Sequence, residues 1–361
     1  MSRAIRFLQV CADRGIAPGS TKGAAQHLRG IAAGLLVLGH DVTTVAARTP
    51  EGPFPAEVRP LAELAKLADR VDVVYERCSL GHTDGLDAAR RGGAVFVLEV
   101  NAPLVDEARR HRPDTVADDH AGAEARLLAE ADVVIVVSDE LAHWARERRH
   151  GPVVVIPNGF EPSWFPAAAS PATSDTLVFL GHPKPWHGAG RLVGLLAGLT
   201  AHGHEPHLLV VGGGPGADEI RLAADRIGLG DQVEVTGALP PTDASALLQG
   251  AAIGLAPYPP QPDFYFCPLK IVDYLAAGLP IVATCQGSAA SLVGDAGIVV
   301  PADDEDAFVD AVAELLGDPV RRTQLGASGR ARAWASMTWD DAAAATVAAL
   351  DTDLAIRAHR G

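Results

Sequence analysis

At 361 residues the chain is long enough for two domains, and a hydrophobic content of 48% supplies a core for each. A formal charge of −15 argues against nucleic-acid binding as the main task, but not against a small anion held in a local basic pocket. Four widely spaced cysteines, Cys11, Cys78, Cys267 and Cys285, form no C-x-x-C pair, which excludes the usual zinc and disulfide frameworks and leaves reduced thiols in the cytoplasm as the expectation.

Residues 1–10 hold an arginine within a short apolar run and no cleavage-site pattern, so they read as a first strand and not a signal peptide. Strands are predicted at 5–10, 42–46, 71–75, 94–100, 133–137 and 153–156, with helices at 24–38, 86–91 and 121–129 between them. The strand runs are continuous in Val and Ile instead of alternating with polar residues, which fits parallel strands buried on both faces. Residues 161–175 are rich in Pro, Ala and Ser without periodicity and read as a linker. A second series follows, with strands at 177–180, 207–211, 232–236, 253–256, 281–283 and 297–300 and helices at 191–199, 217–227, 242–248, 268–277 and 306–316. The Ala-rich stretch 340–355 ends the chain as a helix with no strand after it, so it must pack on something already formed, the N-terminal domain being the expected partner. No apolar run approaches the ~20 residues of a membrane span, while peripheral contact with a membrane stays open. The expected domains are 1–165, joined by the C-terminal helix at 340–361, and 166–339.

Gly181-His182-Pro183-Lys184-Pro185-Trp186-His187-Gly188 lies between a predicted strand and a predicted helix. A glycine turn with three cationic or ionisable side chains, at the start of a helix whose amides are free, is suited to an anion. Pro268-Leu269-Lys270-Ile271-Val272-Asp273 places a lysine and a carboxylate one helical turn apart. The lysine can hold a phosphate while the carboxylate accepts from hydroxyls. Together the two segments point to a nucleoside-diphosphate site. Gly212-x-Gly214-x-Gly216 also follows a strand, but no acidic residue ends the next strand (Glu234 lies inside it), and a dinucleotide site is not expected.

In order and spacing the chain resembles the retaining glycosyltransferases of family four. Lys22-Gly23-Ala24 and Gly39-His40-Asp41-Val42 resemble that family's glycine loop and the turn after its first helix. Pro157-Asn158-Gly159 resembles its P-N-G, Val211-Gly212-Gly213-Gly214-Pro215 its V-G-x-G-P, and Gly181–Gly188 a K-P-W-H-G variant of its phosphate loop. Residues 268–278 resemble P-L-K-x-x-E-Y-M-A-A-G. The resemblance implies an α/β protein of the GT-B fold, two Rossmann-like, doubly wound parallel-sheet domains facing an interdomain cleft. It implies a nucleoside-diphosphate sugar as co-substrate, a hydroxyl acceptor, no resident cofactor, and no metal, since no D-x-D cluster ends a strand. Gly23, Gly181, His182, Lys184, His187, Leu269, Lys270 and Asp273 fall at donor-binding positions, with Lys184, His187 and Asp273 as the catalytic candidates. Glu99 and Asn101, at a strand's carboxyl end, are acceptor candidates, and loop residues 236–239 are where the nucleobase is expected.

Two departures stand out. The family's first motif glutamate falls on Tyr265, with Asp263 close by, and histidines replace its usual Arg and Lys in the phosphate loop. They keep alive a catalytically silent partner subunit that binds without turnover. A nucleotide-sugar epimerase is a further alternative on the same architecture. Donor sugar, acceptor and oligomeric state are not legible in the sequence.

Overall fold

The structure is a computed structural model that describes residues 3–166 and 175–358. It divides into two compact units. The first takes in the chain up to Gly159, the short segment Tyr265–Cys267, and the stretch from Trp339 onward; the second is built from Phe160–Phe264 and Pro268–Thr338. Of the predicted linker, Pro162–Trp164 forms a single 3-10 turn, and residues 167–174 lie outside the described residues.

The first unit runs β1 (Arg6–Cys11), α1 (Gly23–Val37), β2 (Asp41–Ala46), β3 (Glu57–Pro60), α2 (Leu64–Ala68), β4 (Val73–Arg77), α3 (Asp84–Gly92), β5 (Val95–Val100), α4 (Leu104–His111), α5 (His120–Glu130), β6 (Val133–Val136), α6 (Asp139–Arg146) and β7 (Val153–Val155). Its seven strands form one sheet in the order β3-β2-β1-β4-β5-β6-β7. Every pairing is parallel, as in Phe7 opposite both Val42 and Val73. β5 and β6 are buried along their whole length, which is why their sequences are apolar without alternation.

The second unit runs β8 (Leu177–Leu180), α7 (Arg191–Ala201), β9 (Leu208–Val211), α8 (Pro215–Arg226), β10 (Val233–Val235), α9 (Pro241–Gly250), β11 (Ile253–Ala256), α10 (Leu269–Ala277), β12 (Ile281–Thr284), α11 (Ala289–Val293), β13 (Gly297–Val300), α12 (Glu305–Gly317) and α13 (Pro319–Ser336). Its six-stranded sheet has the order β10-β9-β8-β11-β12-β13, again wholly parallel. Leu177, Phe179, Leu192, Leu196, Val210 and Ile253 belong to one buried cluster on this sheet. The two helices that close the unit begin on aspartate caps: Asp304 accepts from Ala307 N–H and Asp318 from Arg321 N–H.

α14 (Trp339–Ala358) belongs to the first unit. Glycines on α1 let it approach. A Cβ on Gly30 would sit 2.2 Å from the Trp339 ring, and one on Gly34 2.5 Å from the Trp339 carbonyl oxygen. Leaving out side chains at those points lets backbone and indole meet at van der Waals distance.

The hydrophobic pattern did not disclose β3, α2, α4, α6, α11 or α13. α13 shows the reason most clearly. The face it buries carries Arg322, Gly326, Gly329 and Ala333, small or polar residues that leave no apolar stripe. Gly326 packs so closely that a Cβ there would lie 2.0 Å from the Gly278 carbonyl oxygen.

Candidate functional site

In the second unit the strand order reverses between β8 and β11, the kind of switch point at which open α/β sheets take ligands beyond their strands' carboxyl ends. The loop leaving β8 is 181–188. The one leaving β11 leads to Pro268 and the start of α10. Tyr274, on α10, ties the two strand ends together: its hydroxyl accepts from Leu180 N–H at 2.8 Å and lies 3.2 Å from the carbonyl oxygens of Val178 and Leu255. Gly254 makes room for that ring, since a Cβ there would come within 2.6 Å of it. The motif containing Tyr274 was legible in the sequence, but this bracing role was not.

The glycine turn after β9 has the same kind of purpose. A Cβ on Gly212 would lie 2.2 Å from Gly181 O, and one on Gly216 2.5 Å from Pro183 O. His182 completes the contact, with Nδ1 at 2.8 Å from Gly213 O. The turn is therefore glycine-rich in order to receive the 181–188 loop. Gln261 holds the other side of that loop, donating from Nε2 to Trp186 O at 2.8 Å.

Lys270 is the most informative group. It is 8% exposed, and its Nζ stands 3.6 Å from the centre of the Phe179 ring and 5.6 Å from that of Tyr258. Among the described residues Nζ has no hydrogen-bond partner. Burial pushes its pKa from 10.5 down to about 7. The sequence alone did not reveal the aromatic box of Phe179 and Tyr258. One turn on, burial pushes the Asp273 carboxyl up to about 7. A lysine and a carboxylate that burial disfavours in their charged forms are suited to a ligand bringing both an anion and hydroxyls. Leu269 opens α10 behind Pro268 with no side-chain cap, which leaves amides of the first turn to a ligand.

In the loop, Lys184 is exposed to solvent and His187 half-buried. Burial, followed by the charge of Lys270, drives the His187 pKa down to about 3, against a hydrogen bond that raises it. Nδ1–H donates that bond to His182 O at 3.1 Å. The free protein thus carries a neutral His187 whose Nε2 is an acceptor, which leaves the two lysines, Lys184 and Lys270, as the groups able to meet an anion with positive charge. Gly181, His182, Lys184, His187, Leu269, Lys270 and Asp273 all fall on the two segments that leave β8 and β11.

The remaining candidates lie in the first unit. Gly23 is exposed and opens α1, which also lacks a side-chain cap. Glu99, proposed as an acceptor contact, is instead enclosed. Its carboxylate accepts from Arg77 Nη1 at 2.9 Å, from the Tyr75 hydroxyl and from Asn101 Nδ2, and meets His27 Nε2 at 2.8 Å. Burial raises its pKa, but the His27 contact, Arg77 and Tyr75 outweigh that and hold it at about 2. Both Glu99 and Asn101 therefore spend polar atoms on this network. His27 Nδ1 lies 2.6 Å from Asn158 Oδ1, and Asn158 Nδ2 donates to Cys267 O at 2.7 Å. That second bond fixes the amide's orientation, so the imidazole faces an accepting oxygen at each nitrogen. Asn158 of the P-N-G is thus the link between His27 and Cys267. Tyr265 is anchored in the same unit, its hydroxyl donating to Glu107 Oε2 at 2.5 Å and its carbonyl oxygen accepting from Ser138.

Two family models match the chain. "Glycosyltransferase Family 4" covers residues 21–164, and "Glycosyl transferases group 1" covers 174–318. Among characterised proteins, phosphatidyl-myo-inositol mannosyltransferase of Mycobacterium leprae is 30% identical over 202 residues, 54% of this chain and 52% of that protein. A GDP-mannose-dependent alpha-(1-6)-phosphatidylinositol monomannoside mannosyltransferase of Mycobacterium tuberculosis is 32% identical over 174 residues, 47% of this chain and 45% of that protein. The chain thus spans about half the length of these relatives. The MMP alpha-(1->4)-mannosyltransferase of Mycolicibacterium hassiacum is 28% identical over 334 residues, 87% of this chain and 78% of that protein. Among solved structures, sucrose-phosphate synthase from Thermosynechococcus elongatus superimposes with a TM-score of 0.74 at 18% identity, over 97% of this chain and 100% of that one. WaaG, a glycosyltransferase involved in lipopolysaccharide biosynthesis, gives 0.69 at 16%, over 95% and 98%. At such identities the superpositions speak to the fold, two parallel-sheet α/β domains of the GT-B class. Among the described residues no helix is long and apolar enough to cross a membrane.

Proposed function

The chain belongs to the group 1 glycosyltransferases of family four, and from that premise we propose that it moves a hexosyl group from a nucleoside-diphosphate sugar to an acceptor hydroxyl with retention at the anomeric carbon. The observation that carries the reading is Lys270, a buried amine in an aromatic box with no hydrogen-bond partner among the described residues, next to the 181–188 loop. A diphosphate would supply the missing partner.

In this mechanism the bond between the anomeric carbon and the diphosphate oxygen breaks while the acceptor oxygen bonds to the same face. The acceptor's proton passes to the departing phosphate oxygen, and no protein nucleophile takes part. Lys184, Lys270 and the first amides of α10 stabilise the charge that develops on the leaving group. Asp273 accepts from the ribose hydroxyls. His187, neutral in the free protein, holds the loop through His182 O. The named relatives use mannosyl donors, GDP-mannose among them, which makes GDP-mannose the first donor to try.

Tyr265 favours a second reading, since a tyrosine committed to Glu107 cannot act as the family's first motif carboxylate. That reading is a binding subunit without turnover. The test is calorimetric titration with UDP, GDP, TDP, ADP and CDP, with and without magnesium. Tight binding of one diphosphate supports both readings, and release of diphosphate from its sugar ester then selects the enzyme. Failure of all five to bind overturns both.

A further inference from the structure

A cavity of about 550 Å³ lies in the first unit, and none of the candidate site residues described above lines it. It follows the carboxyl ends of β1, β2, β3 and β4, which are neighbours in the sheet, with Ala12, Ala46, Val58 and Leu61 among its apolar lining. Carboxyl ends of parallel strands are where α/β sheets take ligands, and the volume lies within the roughly 300–1,000 Å³ of small-molecule sites.

Its charged lining has one sign. Arg14, Arg48 and Arg59 border it, His82 completes the wall, and no aspartate or glutamate lines it, in a chain of net charge −15. Two of the guanidinium groups are held from outside the lining. Arg59 donates to Glu63 Oε2 at 3.1 and 2.6 Å and to Glu57 at 3.1 Å, and Arg48 to Glu51 at 2.8 Å. Arg48 also donates to Arg14 O at 3.4 Å, joining the loops after β1 and β2. His82 stands between Glu76, at 3.9 Å, and Asp84, at 3.6 Å. No ion pair reaches Arg14 among the described residues. Carboxylates placed behind two arginines fix their forks while leaving donors for a ligand, and a free third arginine has no other charge to answer.

We propose that this cavity is an acceptor subsite that binds a phosphate group carried by the acceptor, its apolar floor meeting the adjoining ring or chain. The inference deepens the transferase reading and rests on it. The phosphate belongs either to a soluble sugar ester or to a lipid headgroup, and the test separates the two.

Hexose 6-phosphate and the matching neutral hexose are titrated into the protein by calorimetry, with hydrogen-exchange mass spectrometry to locate any protection. Phosphatidylcholine vesicles with and without phosphatidylinositol form the lipid arm. The phosphorylated ligand of one arm is expected to bind about tenfold or more tighter than its neutral counterpart, with protection at residues 46–62. Arg14→Gln and Arg14→Gln/Arg48→Gln, at unchanged melting temperature, should each weaken that binding by about tenfold or more and leave nucleoside-diphosphate binding as it was. Equal binding of charged and neutral probes, protection confined to residues 181–188, or indifference to both variants would overturn the subsite. Nucleoside-diphosphate binding is a separate readout, so its loss in the unaltered protein would count against the transferase reading instead.

Discussion

Lys270 faces the Phe179 ring at 3.6 Å, an ammonium set on an aromatic face with no hydrogen-bond partner among the described residues. The contact recovers part of the electrostatic energy that burial removes, but it does not replace a counter-ion. Its consequences can be measured in the free protein and in the liganded one.

Between about 7 and 10.5 the unfolded chain holds the Lys270 proton while the folded one has released it, so stability rises with pH across that window. Lys270→Met should flatten the rise. A bound diphosphate favours the charged amine, so its affinity should fall as pH rises through about 7, with proton uptake on binding at pH about 8. Calorimetry in buffers of differing ionisation heat checks the uptake, which Lys270→Met should abolish.

Asp273 has the opposite sign. With its pKa raised from 3.8 to about 7, the folded chain keeps a proton that the unfolded chain loses, and stability falls as pH rises across that range. Asp273→Asn should therefore raise the melting temperature at pH about 8, by about 2–4 °C for each kcal/mol recovered, and change it little at pH about 4. The same variant should slow transfer by about ten- to a hundredfold, because a neutral amide accepts ribose hydrogen bonds more weakly than a carboxylate.

Much of this architecture was legible in the chain. Continuous Val/Ile runs such as 133–136 mark strands buried on both faces, and motif order places the segments carrying Lys184, Lys270 and Asp273 after the strands β8 and β11. What stayed hidden depends on residues distant in sequence. Phe179 and Tyr258 flank Lys270 only once β8 and β11 pair, and a periodicity argument would leave that lysine in solvent. Glu99 read as an open polar group at a strand end, because its partners come from two other elements, His27 from α1 and Tyr75 and Arg77 from β4.

That enclosure makes Glu99 a stability residue. Glu99→Gln leaves Arg77 and His27 facing an uncharged amide in a buried site, at a cost of about 3–5 kcal/mol. With its pKa held at about 2 instead of 4.5, Glu99 contributes stability that is present above 4.5 and lost as pH falls toward 2. Denaturant titrations at neutral and acid pH should show the variant losing most at neutral pH and converging on the parent in acid.

Gly188 and Gly181 make a controlled pair in the 181–188 loop. Both have left-handed backbone, at φ of 70° and 107°, but a Cβ on Gly188 would lie 1.8 Å from Pro257 O whereas one on Gly181 meets nothing within 4 Å. Gly181→Ala should cost about 1–3 kcal/mol of backbone strain. Gly188→Ala adds a backbone clash, so it should displace the loop and weaken nucleoside-diphosphate binding more than Gly181→Ala does, as read by calorimetry.

The most direct test of the central claim is proton NMR of the anomeric signals while the protein acts on GDP-mannose, or on the sugar ester of whichever diphosphate binds, with an acceptor present. The account predicts release of the nucleoside diphosphate and a product with the donor's anomeric configuration, both abolished by Lys184→Ala at an unchanged melting temperature. An inverted product, or tight diphosphate binding without release from any sugar ester, would contradict it.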